Sequence, residues 1–599
     1  MEKKRIREKL LRILDIIPGL KEIMLSSYPL EVKRKNIGTL LSDIMDAAYY
    51  DNPSAPSLEW VLIRDAERAF RNILSTRSEK LAGYSLLRYI DDLLHKDDMK
   101  DVERPSPGFF GEIDHLLKGI AGKTGIYSDK IPAFLKYEGL RAARLRSADL
   151  SRMAKTAQRF LYQYPCGLDK SVIRKCSINK SRILKYFNAT QVEWEDWKWH
   201  TRHIIRDADT LNALVKLTDE DYRAVKLARE NKIPFGITPY YLSLMDHGAK
   251  REKDYAIRAQ VIPSIHYVKK MMELRELAEL SMDFMLERDT SPIEGITRRY
   301  PMIVILKPVL TCPQICVYCQ RNWEIEDVYS TGAALAKDKL EKAIQWIADT
   351  PEITEVLITG GDPFLLSNGK IESILSRLSS IKRIERIRIG TRAPVTIPQR
   401  ITNSLVRKIS RFHIPGKREV LLVTHFEHPY EITPQSMEAV QKFRRHGMEV
   451  YNQLVYTFYN SRKFEAAALR LKLRLIGVTP YYTFNTKGKE ETEDYQVPIS
   501  RLLQEQKEEA RLLPGAARTD EIVFNVPGLG KNYLRAVQHR DVVSILPDGC
   551  RVYEFHPWEK KVSLADTYIY KDVSIYNYLQ RLKTVNEDIS QYNSIWYYY

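Results

Sequence analysis

Three of the six cysteines in this 599-residue chain fall within eight positions, as Cys312, Cys316 and Cys319 of CPQICVYC. Thiolates at C-x3-C-x2-C spacing are soft ligands suited to zinc or to an iron–sulfur cluster. A closed structural zinc normally takes four ligands, and no fourth Cys or His stands at a fitting spacing nearby. A cluster with one iron left open needs three. A partial zinc site and three incidental buried thiols stay as the competing readings. Other residues able to do chemistry occur in short runs: GGDP at 360–363, TRAP at 391–394, HFEHP at 425–429, and PGLGK at 527–531. Taken alone the last is a weak motif, more often a mere turn.

These runs share a position in the pattern around them. From about residue 300 strand-like and helix-like stretches alternate: IVILKPVL, EVLITGG, RIRIGTR, EVLLVTHF, EVYNQLVYTF, VTPYYTF and EIVFNVPG, with helices such as LAKDKLEKAIQWIADT and PQSMEAVQKFRRHG between them. Alternation of this kind predicts an α/β fold, a partial (βα) barrel of parallel strands with helical crossovers. Chemistry in such barrels gathers at the carboxyl ends of the strands, which is where the unusual runs fall. Residues 1–185 read as a helical N-terminal extension and 186–295 as a helical region preceding the barrel. The barrel is placed at 296–535, and 536–599 is a C-terminal segment whose aromatic-rich end, SIWYYY, is expected to pack as a helix and tail.

A hydrophobic content of 44% with 29% charged residues is that of a globular protein. No run of about 18 uncharged apolar residues could span a membrane. The opening MEKKRIREKLLRILDIIPGL lacks the pattern of a signal peptide, so a cytoplasmic location is expected. Cys166, Cys176 and Cys550 are scattered, which favours reduced thiols over a disulfide framework. The formal charge of +17 raises nucleic acid as a partner, but lysines interleaved with acids, as in KDKLEKAIQW, read as solvated helix faces.

The triplet on the loop after the first barrel strand resembles that of the radical S-adenosylmethionine superfamily, and Tyr318 before the last cysteine fits the same pattern. More specifically, residues 192 to 555 resemble the lysine 2,3-aminomutase family. The resemblance is carried in order by WEDWKWHTRHI, ITPYYLSLMD, DTSPIEGITRRYP, the triplet, ITGGDPFLL, IGTRAPVTIPQRIT, THFEHPYEIT, YNQ, TPYY and NVPGLGK. It implies a [4Fe-4S] cluster on Cys312, Cys316 and Cys319, with S-adenosylmethionine chelating the open iron. Tyr318, Gly360, Gly361, Asp362, His425 and Gln453 match positions around S-adenosylmethionine. Lys531 matches the lysine that carries pyridoxal 5′-phosphate as a Schiff base, Arg299 and Tyr300 its other contacts, and Arg321 the partner of the substrate α-carboxylate. One electron, from a donor such as a flavodoxin or ferredoxin, would cleave S-adenosylmethionine. The resulting radical takes hydrogen from the β-carbon, the amino group migrates, and hydrogen returns.

The departures from the family's lysine enzyme bear on the substrate. Two aspartates that clasp the lysine side-chain ammonium are matched here by Lys487 and Asn525. At about 4 Å and an effective dielectric near 20, a lysine facing an ammonium costs roughly 4 kcal/mol, on the order of a thousandfold in binding, and attracts a carboxylate equally. This pairing resembles the glutamate 2,3-aminomutase branch, so conversion of L-glutamate to β-glutamate is expected. Ile303 stands where the lysine enzyme has a second arginine near the phosphate. The glycine run is one residue shorter, and Cys550 has no companions for the family's carboxyl-terminal zinc site, although a homo-oligomer is still expected. Lysine 2,3-aminomutase activity, a protein-coupled lysine-modifying enzyme using the basic extension to dock, and a non-catalytic binding descendant are the alternatives.

Overall fold

The computed structural model describes residues 2–50, 57–96, 100–127, 132–248, 254–276, 282–325, 327–328, 332–486, 489–559 and 561–599. Two compact units divide the chain: Met1–Gln158 with Val497–Glu509 and Lys531–Tyr599, and Arg159–Gln496 with Ala510–Gly530.

The second unit holds the barrel. β1 (Ile296–Thr297) pairs antiparallel with β2 (Ile303–Val309), pairing Ile296 with Leu306. From there β3 (Glu355–Gly360), β4 (Arg386–Gly390), β5 (Glu419–Thr424), β6 (Val450–Tyr456), β7 (Thr479–Asn485) and β8 (Glu521–Val526) follow in sequence order, each parallel to the one before. Sequence-order parallel pairing requires a crossover at every step, and the helices Lys337–Ala348, Asn368–Ser380, Asn403–Ser410, Pro434–Arg444 and Glu465–Leu475 supply the first five. Their starts are set locally. Ser367 and Thr402 cap the second and third with side-chain oxygens, and Thr433 with Ser436 forms a capping box ahead of Pro434. Ile371, Ile374, Leu375 and Leu378 form the buried stripe of the second helix, at helical spacing.

Burial alternates along β4 and β6, the buried set being Ile387 and Ile389 on β4 and Val450, Asn452, Leu454 and Tyr456 on β6. The opposite set, including Arg388, Tyr451 and Gln453, is half-buried. Arg388 crosses from β4 to β7, its Nη1 donating to Tyr481 Oη at 3.1 Å, and Tyr451 packs on Tyr481 with ring centroids 5.3 Å apart. The last strand is anchored by a buried pair: Arg470 Nε and Nη2 donate to Asp520 at 3.0 and 2.9 Å, and Thr483 Oγ1 adds a 2.6 Å bond.

The first unit is built from the N-terminal helices, among them Glu2–Leu14, Leu30–Tyr50, Ser57–Ile73 and Pro107–Ile120, with an antiparallel sheet of Arg540–Ile545, Arg551–Phe555 and Tyr568–Lys571. The aromatic end packs as expected, after the helix Ile575–Thr584. Tyr592, Ile595, Trp596 and Tyr597 are buried, Trp596 stacks on His115 at 4.7 Å, and Arg551 donates to the carbonyls of Trp596 and Tyr598. No helix among the described residues is long and apolar enough to cross a membrane.

Candidate functional site

The cysteine loop leaves the carboxyl end of β2 and is tied to the helical region before the barrel. Ile315 N–H donates to the Gly236 carbonyl at 3.0 Å, Val317 N–H to that of Gln260 at 2.9 Å, and Cys319 N–H closes a turn on Cys316 at 3.1 Å. Burial pushes the Cys312 thiol well up, reinforced by Asp362, Cys319 and Cys316. Burial also raises Cys316, where Arg392 opposes and Cys319 adds to the rise. The three sulfurs therefore feel one another in one pocket. Yet among the described residues no three or more His, Cys, Asp or Glu side chains are placed to hold one metal ion.

The next strand ends close the other side. Gly360 has φ of +114°, and a Cβ there would come within 2.9 Å of the Val309 carbonyl oxygen; a Cβ on Gly361 would fall on the backbone of Thr311. Gly361 N–H donates to Val309 at 2.7 Å and Asp362 N–H to Thr311 at 2.9 Å, so the two glycines let the loop after β3 lie on the cysteine loop. The Asp362 carboxylate is taken up by the fold, accepting from Thr391 Oγ1 at 2.7 Å and from the N–H groups of Phe364 and Arg392 at 2.9 and 3.0 Å. What GGD leaves for a ligand is backbone.

After β4 stands Arg392, flagged in the sequence only as part of TRAP. Its Nη1 donates to Cys316 Sγ at 2.8 Å, its Nε to the His425 carbonyl at 3.1 Å, and its Nη2 to Glu431 Oε1 at 2.8 Å and to Gln260 Oε1. Tyr318 Oη shares Gln260 at 3.2 Å. His425 follows β5 with a third of its side chain exposed, and burial and then the Arg392 charge hold its pKa down at about 4, so the imidazole is neutral at pH 7. Gln453 on β6 bonds His425 through its backbone, which brings those two residues together. Glu427 accepts from Val455 N–H at 2.7 Å, and burial outweighs Arg392 to push its carboxyl up to about 8.

Beside the last cysteine lies a second cluster. Arg321 grips Glu287 with Nε and Nη2 at 3.1 and 2.7 Å, and Arg299 Nη2 lies 3.0 Å from the same carboxylate. Lys307 adds a contact at 3.5 Å and donates to Glu324 at 2.7 Å. Burial raises the Glu287 carboxyl, but Arg321, Arg299 and Lys307 together outweigh it and hold it at about 2. Arg299 Nε is buried without a hydrogen-bond acceptor, while its Nη2 has the ion-pair contact with Glu287. A buried guanidinium nitrogen with an idle donor is costly, and an incoming anion would relieve it. The adjacent Tyr300 is half-buried. The structure thus brings Arg299 and Arg321 together, as a phosphate partner and a carboxylate partner would have to be.

Lys487 lies outside the described residues. Two positions on, Lys489 is buried, donates to Asn322 Oδ1 at 2.8 Å and pairs with Glu491, which itself accepts from Asn322 at 3.1 Å. This part of the loop therefore reaches the neighbour of Arg321 while adding no net charge. Asn525 is half-buried near the end of β8. Gly528 and Gly530 turn the chain with φ of +69° and +79°, and Lys531 begins the next stretch of the first unit. Sequence reading missed Glu287, Gln260, Glu427, Glu431 and the role of Arg392. Of these only Arg392 and Glu427 carried a signal, their place in runs directly after strands.

Residues 306–471 match the radical SAM superfamily. An uncharacterized KamA family protein of Methanocaldococcus jannaschii is 41% identical over 98% of this chain and 97% of its own length. An L-lysine 2,3-aminomutase of Fusobacterium nucleatum is 34% identical over 53% of this chain and 71% of its own. A glutamate 2,3-aminomutase of Clostridioides difficile is 33% identical over 60% and 79%. The radical SAM match, which spans the triplet, supports a [4Fe-4S] cluster and S-adenosylmethionine, and with near end-to-end similarity to a KamA protein the chain belongs to the KamA (lysine 2,3-aminomutase) family of radical SAM enzymes.

Proposed function

We propose that the protein is an amino acid 2,3-aminomutase that moves the α-amino group of L-glutamate to the β-carbon, with S-adenosylmethionine, a [4Fe-4S] cluster on Cys312, Cys316 and Cys319, and pyridoxal 5′-phosphate. The observation that carries it is the pair of largely buried arginines, Arg321 against Cys319 and Arg299 beside it on the same carboxylate with an idle Nε. A radical acting on an amino acid needs the carboxylate and the phosphate fixed at once, because a misplacement of about 1 Å can cost on the order of a hundredfold in rate.

In this reading Arg321 holds the substrate carboxylate and Arg299, with Tyr300, the cofactor phosphate. Lys531 holds the pyridoxal carbon. Tyr318, the GGD backbone, neutral His425 and Gln453 line the place of S-adenosylmethionine. When bound and reduced, the cluster with S-adenosylmethionine supplies the hydrogen-abstracting radical, and pyridoxal phosphate holds the migrating nitrogen. Arg392 keeps a positive charge on Cys316 throughout.

Glutamate is favoured over lysine because the neutral Asn525 gives a substrate ammonium no charged partner, and Glu491 is already spent on Lys489. Lys487 would supply the cation for the distal carboxylate. The test is anaerobic reconstitution with iron, sulfide, pyridoxal phosphate, S-adenosylmethionine and dithionite, followed by chromatography of products from a panel of amino acids. β-Glutamate from L-glutamate is expected. Turnover of L-lysine with none of L-glutamate would reject the substrate assignment.

A further inference from the structure

We infer that Glu287 is a positioning residue that yokes Arg299 to Arg321 and sets the angle at which the two guanidinium groups meet their anions. This rests on the aminomutase reading of those two arginines. Glu287 is 2% exposed and immediately precedes the short 3-10 turn Arg288–Thr290 ahead of the barrel, just outside the runs assigned a role from sequence.

Its carboxylate is shared. Oε1 accepts from Arg321 Nη2 at 2.7 Å and sits 3.0 Å from Arg299 Nη2, while Oε2 accepts from Arg321 Nε at 3.1 Å. A side-on grip of this kind fixes the plane of Arg321 and leaves the Nη1 end of its fork for a ligand. On the far side Lys307 touches Oε2 at 3.5 Å and is itself tied to Glu324. The carboxylate is therefore boxed in by three cations.

The backbone that carries it is equally fixed. Asp283 accepts from the N–H groups of Glu287 and Arg288 at 2.9 Å each, and the Glu287 carbonyl accepts from Ser291 Oγ at 2.7 Å and Thr290 N–H at 3.1 Å. A side chain held at both ends cannot swing out as a gate. What it can do is hold two charged groups that would otherwise repel at a set separation and orientation. Counted over the ion-paired side chains, three cations face Glu287 and Glu324, leaving the group net positive by one.

The two possible roles of Glu287 differ in sign. If it positions, removing its charge leaves the arginines more attractive to anions but misaligned. If it merely supports the fold, its loss weakens binding. The experiment uses Glu287→Gln, close in shape, and Glu287→Asp, too short to reach both arginines, in the holoenzyme loaded with cluster, S-adenosylmethionine and pyridoxal phosphate. Without reductant, calorimetric titration with L-glutamate, L-lysine and L-alanine reads binding alone; with reductant, kcat and KM are read separately. For E287Q we expect carboxylate affinity unchanged or up to about tenfold tighter, with kcat lower by on the order of tenfold or more. E287D should fall between E287Q and the native enzyme in kcat.

Weaker binding in E287Q, or unchanged binding with unchanged kcat, overturns the proposal, as does a native enzyme that binds none of the three amino acids. A native enzyme that binds them but converts no amino acid rejects the aminomutase reading alone. The binding arm then decides: unchanged or tighter binding in E287Q supports the yoke, and weaker binding overturns it.

Discussion

Arg392 puts a guanidinium nitrogen 2.8 Å from the sulfur of Cys316, and its substitution by glutamine removes a full positive charge from the cluster's edge. With the charge centre about 5 Å from the cluster and an effective dielectric near 20, the loss is worth roughly 3 kcal/mol against the more negative, reduced state. For one electron that is a fall on the order of 100 mV in midpoint potential, a tenfold change in equilibrium corresponding to about 59 mV. Water entering the gap beside Glu431, which accepts from Arg392 at 2.8 Å, reduces the fall. The measurement is a redox titration of the reconstituted protein followed by electron paramagnetic resonance of the reduced cluster. Arg392→Lys, which keeps the charge but not the planar fork, should recover most of the shift. A glutamine variant whose potential rises, or moves by less than the scatter of the native titration, would refute the charge assigned to this contact.

Gly361→Ala should prevent stable cluster assembly, because the new Cβ would fall on the Thr311 backbone that carries the cysteine loop; iron and sulfide content of the reconstituted protein reads this. Glu427 is raised to about 8 in the fold, so the folded state keeps a proton that the unfolded chain releases near its ordinary value. Its contribution is thus fully present at acid pH and is lost as pH rises towards 8, and Glu427→Gln should flatten that part of the melting-temperature profile. Asp520→Ala leaves Arg470 buried without its partner and should cost about 3–5 kcal/mol in urea denaturation. Asn525→Asp should raise the kcat/KM ratio of L-lysine over L-glutamate by roughly tenfold or more, since an attraction of several kcal/mol to an ammonium is restored.

The alternation of parallel strands with helical crossovers, and the position of the chemical runs after strands, were legible from hydrophobic period, because that depends on neighbours a few residues apart. The triplet, too, stood out by its spacing alone. Even the use of GG was readable, although its reason, the passage of one backbone over another, is a contact between residues 309–311 and 360–361.

Glu287 was beyond such reading. A single glutamate in LERD has no period and no motif, and its meaning arises only where Arg299, Lys307 and Arg321 arrive from three different segments. The same holds for Gln260, Arg392 and Glu431 around Cys316. By itself the sequence determined the fold class and the family. The tertiary structure alone decided which buried charges face one another, because the energy of a buried charge depends on partners that chain distance does not record.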